Sequence, residues 1–313
     1  MVVSRAYNTF SIDETLQTIS KYSSSDRLED EIQYYIKSKN VNMDIFFPRL
    51  ISQSKDGNIF AGKFEYYAYP NLGDKIFFSD SNPKMLDRIA NKLRDILNLW
   101  SNVKIETNNT TFNEAMFIDK TETEYLKLVS NFNFFKSFSK NKEVSINKKS
   151  YKNFEVIWPQ IKEIINKRLI QSPTNTFIHG DLCFSNILCG ECNENIVLKF
   201  IDPRGSYGAK GCFGNRLYDL SKLMHSYEGG YEFIINDKFD VSSDEKSINF
   251  RLDINNVDFR AFDTLFNSED EKENARLIQG LIYIGMIARH YDSLDRQKIM
   301  YATGIRILNS FID

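Results

Sequence analysis

The stretch from Phe177 to Gly205 constrains this chain more than any other. Phe177-Ile178 is an apolar strand end, and His179 to Asn186 is a polar loop that carries Asp181 and Asn186 five residues apart. Ile187-Leu188 begins a second apolar strand. Cys189 to Asn195 supplies a hairpin turn, and Ile196 to Ile201 is the return strand. Asp202, at the end of the partner strand, is therefore expected beside Asn186. Two carboxylates and one amide oxygen then converge, the hard-oxygen set that Mg²⁺ takes when water and phosphate oxygens complete its shell.

The pattern His-x-Asp-x-x-x-x-Asn, then a hairpin, then Ile-Asp is met here by His179, Asp181, Asn186 and Ile201-Asp202. It resembles the signature of the aminoglycoside phosphotransferase and choline kinase-like branch of the protein-kinase-like fold. The resemblance implies an α+β, bilobal fold, with a small strand-rich nucleotide-binding lobe over residues 1–70. A larger helical lobe over residues 71–313 would hold the catalytic loop and the acceptor site. It implies Asp181 as the catalytic base for an acceptor hydroxyl, and Asn186 and Asp202 as the holders of Mg²⁺ against the phosphates of ATP or GTP. A base so oriented contributes about 10²- to 10⁴-fold. His179 is expected to support the loop from below. Tyr218-Asp219-Leu220 matches the helix start that follows in this branch, with Asp219 a helix cap or loop anchor.

In the small lobe the resemblance implies a phosphate-orienting pair of Lys21 with Glu31, or Glu29 in its place. Phe64-Glu65-Tyr66-Tyr67-Ala68 would be the hinge strand that reads the base, with Glu65 and Tyr67 at the nucleotide. One departure stands out: Ala6-Tyr7-Asn8-Thr9-Phe10-Ser11 occupies the place of a Gly-rich loop.

Periodicity organises the remainder. Phe10 to Tyr22 predicts a strand pair; Ser23 to Asp26 starts a helix with Leu28, Ile32, Tyr35 and Ile36 on one face. Ile51, Ile59 to Ala61 and Phe64 to Tyr69 predict strands, turned at Asp56-Gly57. Pro70 to Asp74 breaks the pattern and is the expected lobe boundary. Helices are predicted over Lys84 to Trp100, Glu114 to about Phe135, Phe154 to Leu169, Leu217 to Tyr227, Asn274 to His290 and Arg296 to Phe311. Lys140 to Lys152, rich in Lys, Asn and Ser, is expected to be a solvated loop, and Tyr231 to Asp258 fits no single pattern.

Composition narrows the class of partner. Forty Lys and Arg against 42 Asp and Glu give a net charge of -2, which offers no excess of positive charge to track nucleic acid. The longest uncharged apolar stretch, between Arg276 and Arg289, is roughly two-thirds of a membrane-spanning helix. With no basic-then-apolar leader at Met1 to Tyr7, a cytoplasmic protein with no membrane partner is expected.

Gly180 precedes Asp181 where a protein kinase has Arg, and Asp202 to Asp219 is short for an activation segment. A small-molecule acceptor is therefore favoured over a protein Ser/Thr kinase; a pseudokinase-type nucleotide-binding module is the other alternative. Acceptor contacts are expected from Arg204, Tyr207, His225, Glu228 and His290. The Cys183-Phe184-Ser185 and Ile201 to Gly205 segments resemble a capsule-associated bacterial branch. That resemblance implies a sugar, sugar derivative or amino alcohol as acceptor, and a companion nucleotidyltransferase domain or protein. Cys189 and Cys192, with Cys183 and Cys212, supply a competing reading as zinc ligands.

Overall fold

The computed structural model of the chain describes residues 8–78, 83–105, 110–171, 175–192, 195–254 and 257–312. The chain divides into two compact units, each assembled from two stretches: Met1–Glu106 with Asn175–Asp219, and Thr107–Thr174 with Leu220–Asp313.

The first stretch opens with β1 (Asn8–Asp13) and β2 (Thr18–Ser23), an antiparallel hairpin. Helix α1 (Asp26–Asn40) starts where the Ser25 side chain accepts from the Arg27 N–H, and it buries Leu28, Ile32 and Tyr35. β3 (Leu50–Asp56) and β4 (Ile59–Glu65) follow, joined through Gly57 at φ +56. The four strands form one antiparallel sheet in the order β1-β2-β4-β3. The strand expected to run to Tyr69 ends at Glu65; the Tyr66 N–H still donates to the Gln17 carbonyl at 2.9 Å, in register with β2, before the chain leaves the sheet. Helices α2 (Leu72–Phe77) and α3 (Pro83–Asn102) complete this stretch. The Pro70–Asp74 break lies within the unit, where Cys189 N–H donates to the Pro70 carbonyl.

The chain then enters the second unit. α4 (Thr110–Glu114), a π-helical turn over Ala115–Asp119, α5 (Lys120–Asn131) and α6 (Asn133–Phe138) lead to β5 (Glu143–Ile146), β6 (Lys149–Lys152) and α7 (Phe154–Ile165). It returns to the first unit with β7 (Thr176–Phe177), β8 (Ile187–Cys192), β9 (Asn195–Phe200), β10 (Ser206–Tyr207), β11 (Ala209–Lys210) and β12 (Phe213–Gly214). α8 (Arg216–Tyr227) leads into the last stretch of α9 (Tyr231–Ile235), β13 (Phe239–Ser243), β14 (Ser247–Leu252), α10 (Glu269–Ile284) and α11 (Leu294–Asn309). Among the described residues no helix is long and apolar enough to cross a membrane.

Two readings change here. Lys140 to Lys152 is not a solvated loop; it contains the β5–β6 hairpin. Asn147 and Lys148 both take positive φ, +48 and +66, as a tight hairpin turn needs, and Val144 and Ile146 are buried. The abundance of Lys and Asn masked a two-residue alternation. The segment from Tyr231 to Asp258 resolves into α9 and the β13–β14 hairpin, which joins β5 in the sheet order β13-β14-β5-β6.

The core of the first unit is aromatic. Phe47, 1% exposed, lies nearly parallel to both Trp100 and His179, with ring centroids 6.0 and 6.1 Å away. Tyr34, Phe177 and Phe200 surround it at 5.3 to 6.2 Å. The cluster binds α1, α3 and the strands that flank the polar loop into one body. Phe47→Ala is expected to cost about 3–5 kcal/mol, the range for a fully buried aromatic, seen as a lowered unfolding midpoint in urea or on heating.

Candidate active site

The sequence places a lysine in β2 facing inward, and the fold gives it two carboxylates. Lys21, 6% exposed, puts Nζ 2.5 Å from Glu31 Oε2 and 2.9 Å from Asp202 Oδ1. Glu31 makes this contact and Glu29 does not, since two residues turn a helix by about 200°. Burial disfavours the ammonium, but the two carboxylates outweigh it and hold Lys21 above its usual range. Burial pushes the Glu31 carboxyl up, against the pull of Lys21.

The polar loop starts from β7. The Ile178 carbonyl accepts a hydrogen bond from the Tyr34 hydroxyl at 2.9 Å. His179 is buried, with Nε2 3.0 Å from the Ile201 carbonyl and Nδ1 accepting from the Asp181 N–H at 3.2 Å. Those partners define the neutral Nε2–H tautomer, and burial pushes its pKa down to about 4. Asp219 anchors the loop from α8: its two carboxylate oxygens accept from the His179 and Gly180 N–H groups at 2.7 and 2.8 Å. Gly180 is left-handed at φ +80, and a Cβ there would lie 2.8 Å from the Arg204 Cβ.

The two ends of the site are tied together by backbone. Arg204 N–H donates to the His179 carbonyl and Ile201 N–H to the Asn186 carbonyl, both at 3.0 Å. Asn186 Nδ2 donates to the Asp181 carbonyl at 2.8 Å, which leaves the amide oxygen as the atom Asn186 presents as a ligand. Asp202 takes φ +55, a left-handed conformation that Asp tolerates better than most residues, and its side chain is 49% exposed. Asp202 and Asn186 thus offer hard oxygen donors of the kind Mg²⁺ accepts, so the residues fit that ion.

The other residues singled out by sequence make contacts of their own. Glu65, the last residue of β4, accepts from the Tyr67 hydroxyl at 3.2 Å and from the Arg49 N–H at 3.1 Å. Of the Ala6 to Ser11 stretch, Asn8 to Ser11 belong to β1, paired with β2; Ala6 and Tyr7 lie outside the described residues. Arg204 directs Nη1 to the Tyr218 hydroxyl at 3.5 Å, and Tyr207 is buried with its ring edge-on to Tyr218. In the second unit His225 is fully buried between the rings of Tyr231 and Tyr283, with Nε2 3.2 Å from Met286 Sδ. His290 lies edge-on to Tyr231, and Glu228 pairs with Arg276 at 3.5 Å. Tyr207 and His225 therefore present no surface to a dissolved acceptor.

The zinc reading fails on geometry. Cys189 and Cys192 both lie in β8, three residues apart, so they project from opposite faces of the strand; Cys189 is buried and Cys192 exposed. Burial holds the Cys189 thiol up, at about 11. Among the described residues no group of three or more His, Cys, Asp or Glu is arranged to hold a metal ion.

No family model matches the sequence, and no curated protein matches it. Solved structures match over nearly the whole chain, and they define the class: this is the fold of the aminoglycoside phosphotransferases, an α+β protein-kinase-like fold. Aminoglycoside phosphotransferase APH(4)-Ia is 11% identical with a TM-score of 0.57, over 100% of this chain and 93% of that one. A thermostable mutant of it, in ternary complex with AMP-PNP and hygromycin B, is 10% identical with a TM-score of 0.55, over 94% and 87%. The GDP complex of an aminoglycoside 2′-phosphotransferase of type IIIa gives 10% and 0.54, over 99% and 89%. At such identities the likeness is one of fold.

The buried His179 makes stability depend on pH. Its native pKa of about 4 lies below the 6.5 of a free histidine, so its contribution is complete above pH 6.5 and is lost as pH falls toward 4. At ~1.4 kcal/mol per tenfold change in proton affinity, about 3 kcal/mol is at stake. His179→Gln is expected to be less stable at neutral pH and to lose less stability than the parent between pH 6.5 and 4. Melting curves across that window measure the difference.

Proposed function

We propose that this chain is a phosphotransferase that uses Mg²⁺ and ATP or GTP to phosphorylate a hydroxyl of a small molecule. The observation that carries the reading is the double contact of the buried Lys21 with Glu31 and with Asp202, a residue 181 positions away. A buried ammonium steadied by one carboxylate and touching a second, half-exposed one is placed to receive the oxygens of a nucleotide phosphate. The fold shared with structures that bind GDP or AMP-PNP supports the same reading.

In this reading Asn186 and Asp202 hold the ion, which would neutralise developing charge on the phosphates. Lys21 binds phosphate oxygens and Glu31 keeps its ammonium in place. Asp181 orients the acceptor hydroxyl and takes its proton. His179, neutral and hydrogen-bonded at both ring nitrogens, holds the loop that carries Asp181. Residues 203–215, between Asp202 and α8, are occupied by short strands, which leaves little room for the activation segment of a protein kinase and favours a small acceptor.

The acceptor class we propose is a sugar, sugar derivative or amino alcohol. A role in surface-polysaccharide metabolism, beside a nucleotidyltransferase, rests on the Cys183 to Ser185 and Ile201 to Gly205 sequences alone. Nucleotide turnover with MgATP and MgGTP across panels of sugars, amino sugars and amino alcohols tests the acceptor class. With an acceptor in hand, Asp181→Asn is expected to lower kcat by about 10²- to 10⁴-fold while calorimetric nucleotide affinity stays close to that of the parent. Asp202→Ala is expected to weaken nucleotide binding in the presence of Mg²⁺. Near-normal turnover by Asp181→Asn would overturn the assignment of the base.

A further inference from the structure

The loop that follows Asp202 is folded against the helix that carries Glu31, and it touches the residue just before that glutamate. In the β10–β11 hairpin Tyr207 pairs with Ala209 across Gly208, which takes φ +70. Gly211 N–H closes the loop on the Gly205 carbonyl at 2.8 Å. Three contacts then fix this closed loop to α1. Lys210 Nζ lies 2.8 Å from Asp30 Oδ1. Lys37 Nζ donates to the Lys210 carbonyl at 3.3 Å. Gly205, at φ +69, comes so near the Asp30 carbonyl that a Cβ on it would overlap the oxygen.

An ion pair at the surface, with Lys210 exposed and Asp30 half-buried, contributes modestly to stability, so its value lies in where it holds things. Asp30 and Glu31 are consecutive residues of a hydrogen-bonded helix, and a displacement of one is passed to the other. The other end of the loop starts at Asp202, the second carboxylate on Lys21.

We infer that Gly205, Lys210 and Asp30 are positioning residues that set the height of α1 over the Asp202 loop, and through it the spacing of Lys21, Glu31 and Asp202. The inference rests on the phosphotransferase reading above. If α1 rises at Asp30, Glu31 withdraws from Lys21, and the ammonium is left to Asp202, the carboxylate assigned to the metal. Nucleotide affinity then falls because the phosphate-binding cation and the metal-binding anion pair with each other.

Calorimetric titration with MgATP and with MgGTP tests this on the full chain. Gly205→Ala is expected to weaken binding about tenfold or more. Gly57→Ala is the control: its φ is also left-handed, +56, but nothing lies within 4 Å of an added Cβ, so it carries the backbone cost without the contact. It is expected to lose stability and keep its affinity. Lys210→Glu and Asp30→Lys are each expected to weaken binding by up to about fivefold, the scale of a surface pair, and the charge-exchanged double variant to recover most of it. In turnover these changes are expected in KM before kcat. If the parent binds nucleotide and both Gly205→Ala and Lys210→Glu bind it equally well, the inference is overturned while the phosphotransferase reading stands. If the parent binds neither nucleotide, both fall. Should Gly205→Ala fail to fold, the charge-exchange set decides alone.

Discussion

A single ammonium group, that of Lys21, holds the site together. Removing a charge from water is costly unless partners are close and well aimed, and here two carboxylates supply them. The same pair explains why Glu31, on the buried face of α1, is tolerated there at all. Deleting the Lys21 ammonium would leave the buried Glu31 carboxylate without a partner, whereas Asp202, half-exposed, keeps its access to water. The β2 strand, α1 and the residue just past β9 are thereby bound to one another through electrostatics, and α1 and β9 also through the Phe47 aromatic cluster. That double fastening makes the location of the site within the first unit a consequence of its folding.

The site was legible where chemistry and spacing act locally. Asp181 and Asn186, separated by one loop and followed by a two-stranded return, could meet Asp202 in few other ways. The pairing of Lys21 with an acid of the next helix was also legible, although a choice between Glu29 and Glu31 needs the phase of α1 against the sheet, which depends on the packing of Leu28, Ile32 and Tyr35. Long helices such as α3 and α11 were visible because their apolar faces repeat over many turns. What escaped notice depended on remote partners. The β5–β6 hairpin wears the composition of a loop because only Val144 and Ile146 need to be buried, and its parallel partner β14 lies about a hundred residues further on. Likewise Tyr207 and His225 look like available polar groups in a linear reading, and only the closure of the core around them shows otherwise.

The loop of His179 to Asn186 shows how little conformational freedom is left near Asp181. Its backbone donors go to Asp219 and to the His179 ring, its carbonyls receive Arg204, Ile201 and the Asn186 amide, and a glycine admits the close approach of Arg204. A neutral imidazole suits this duty better than an imidazolium, because one of its nitrogens must accept. The histidine thus acts as a hydrogen-bonding strut whose protonation state matters to shape.

Because each compact unit is built from two separated stretches of sequence, neither is complete until its second stretch has left the ribosome. The four-stranded sheet and α1 emerge early but must wait past residue 174 for β7, β8 and β9, and the sheet begun by β5 waits for β14. Until then Lys21 and Glu31 have each other but lack Asp202, and the aromatic surface of Phe47 and Trp100 is only partly covered. A nascent polypeptide of this design spends much of its translation with sticky, half-paired intermediates exposed, so its yield in a cell should be governed by elongation speed and holding chaperones as much as by the stability of the finished molecule.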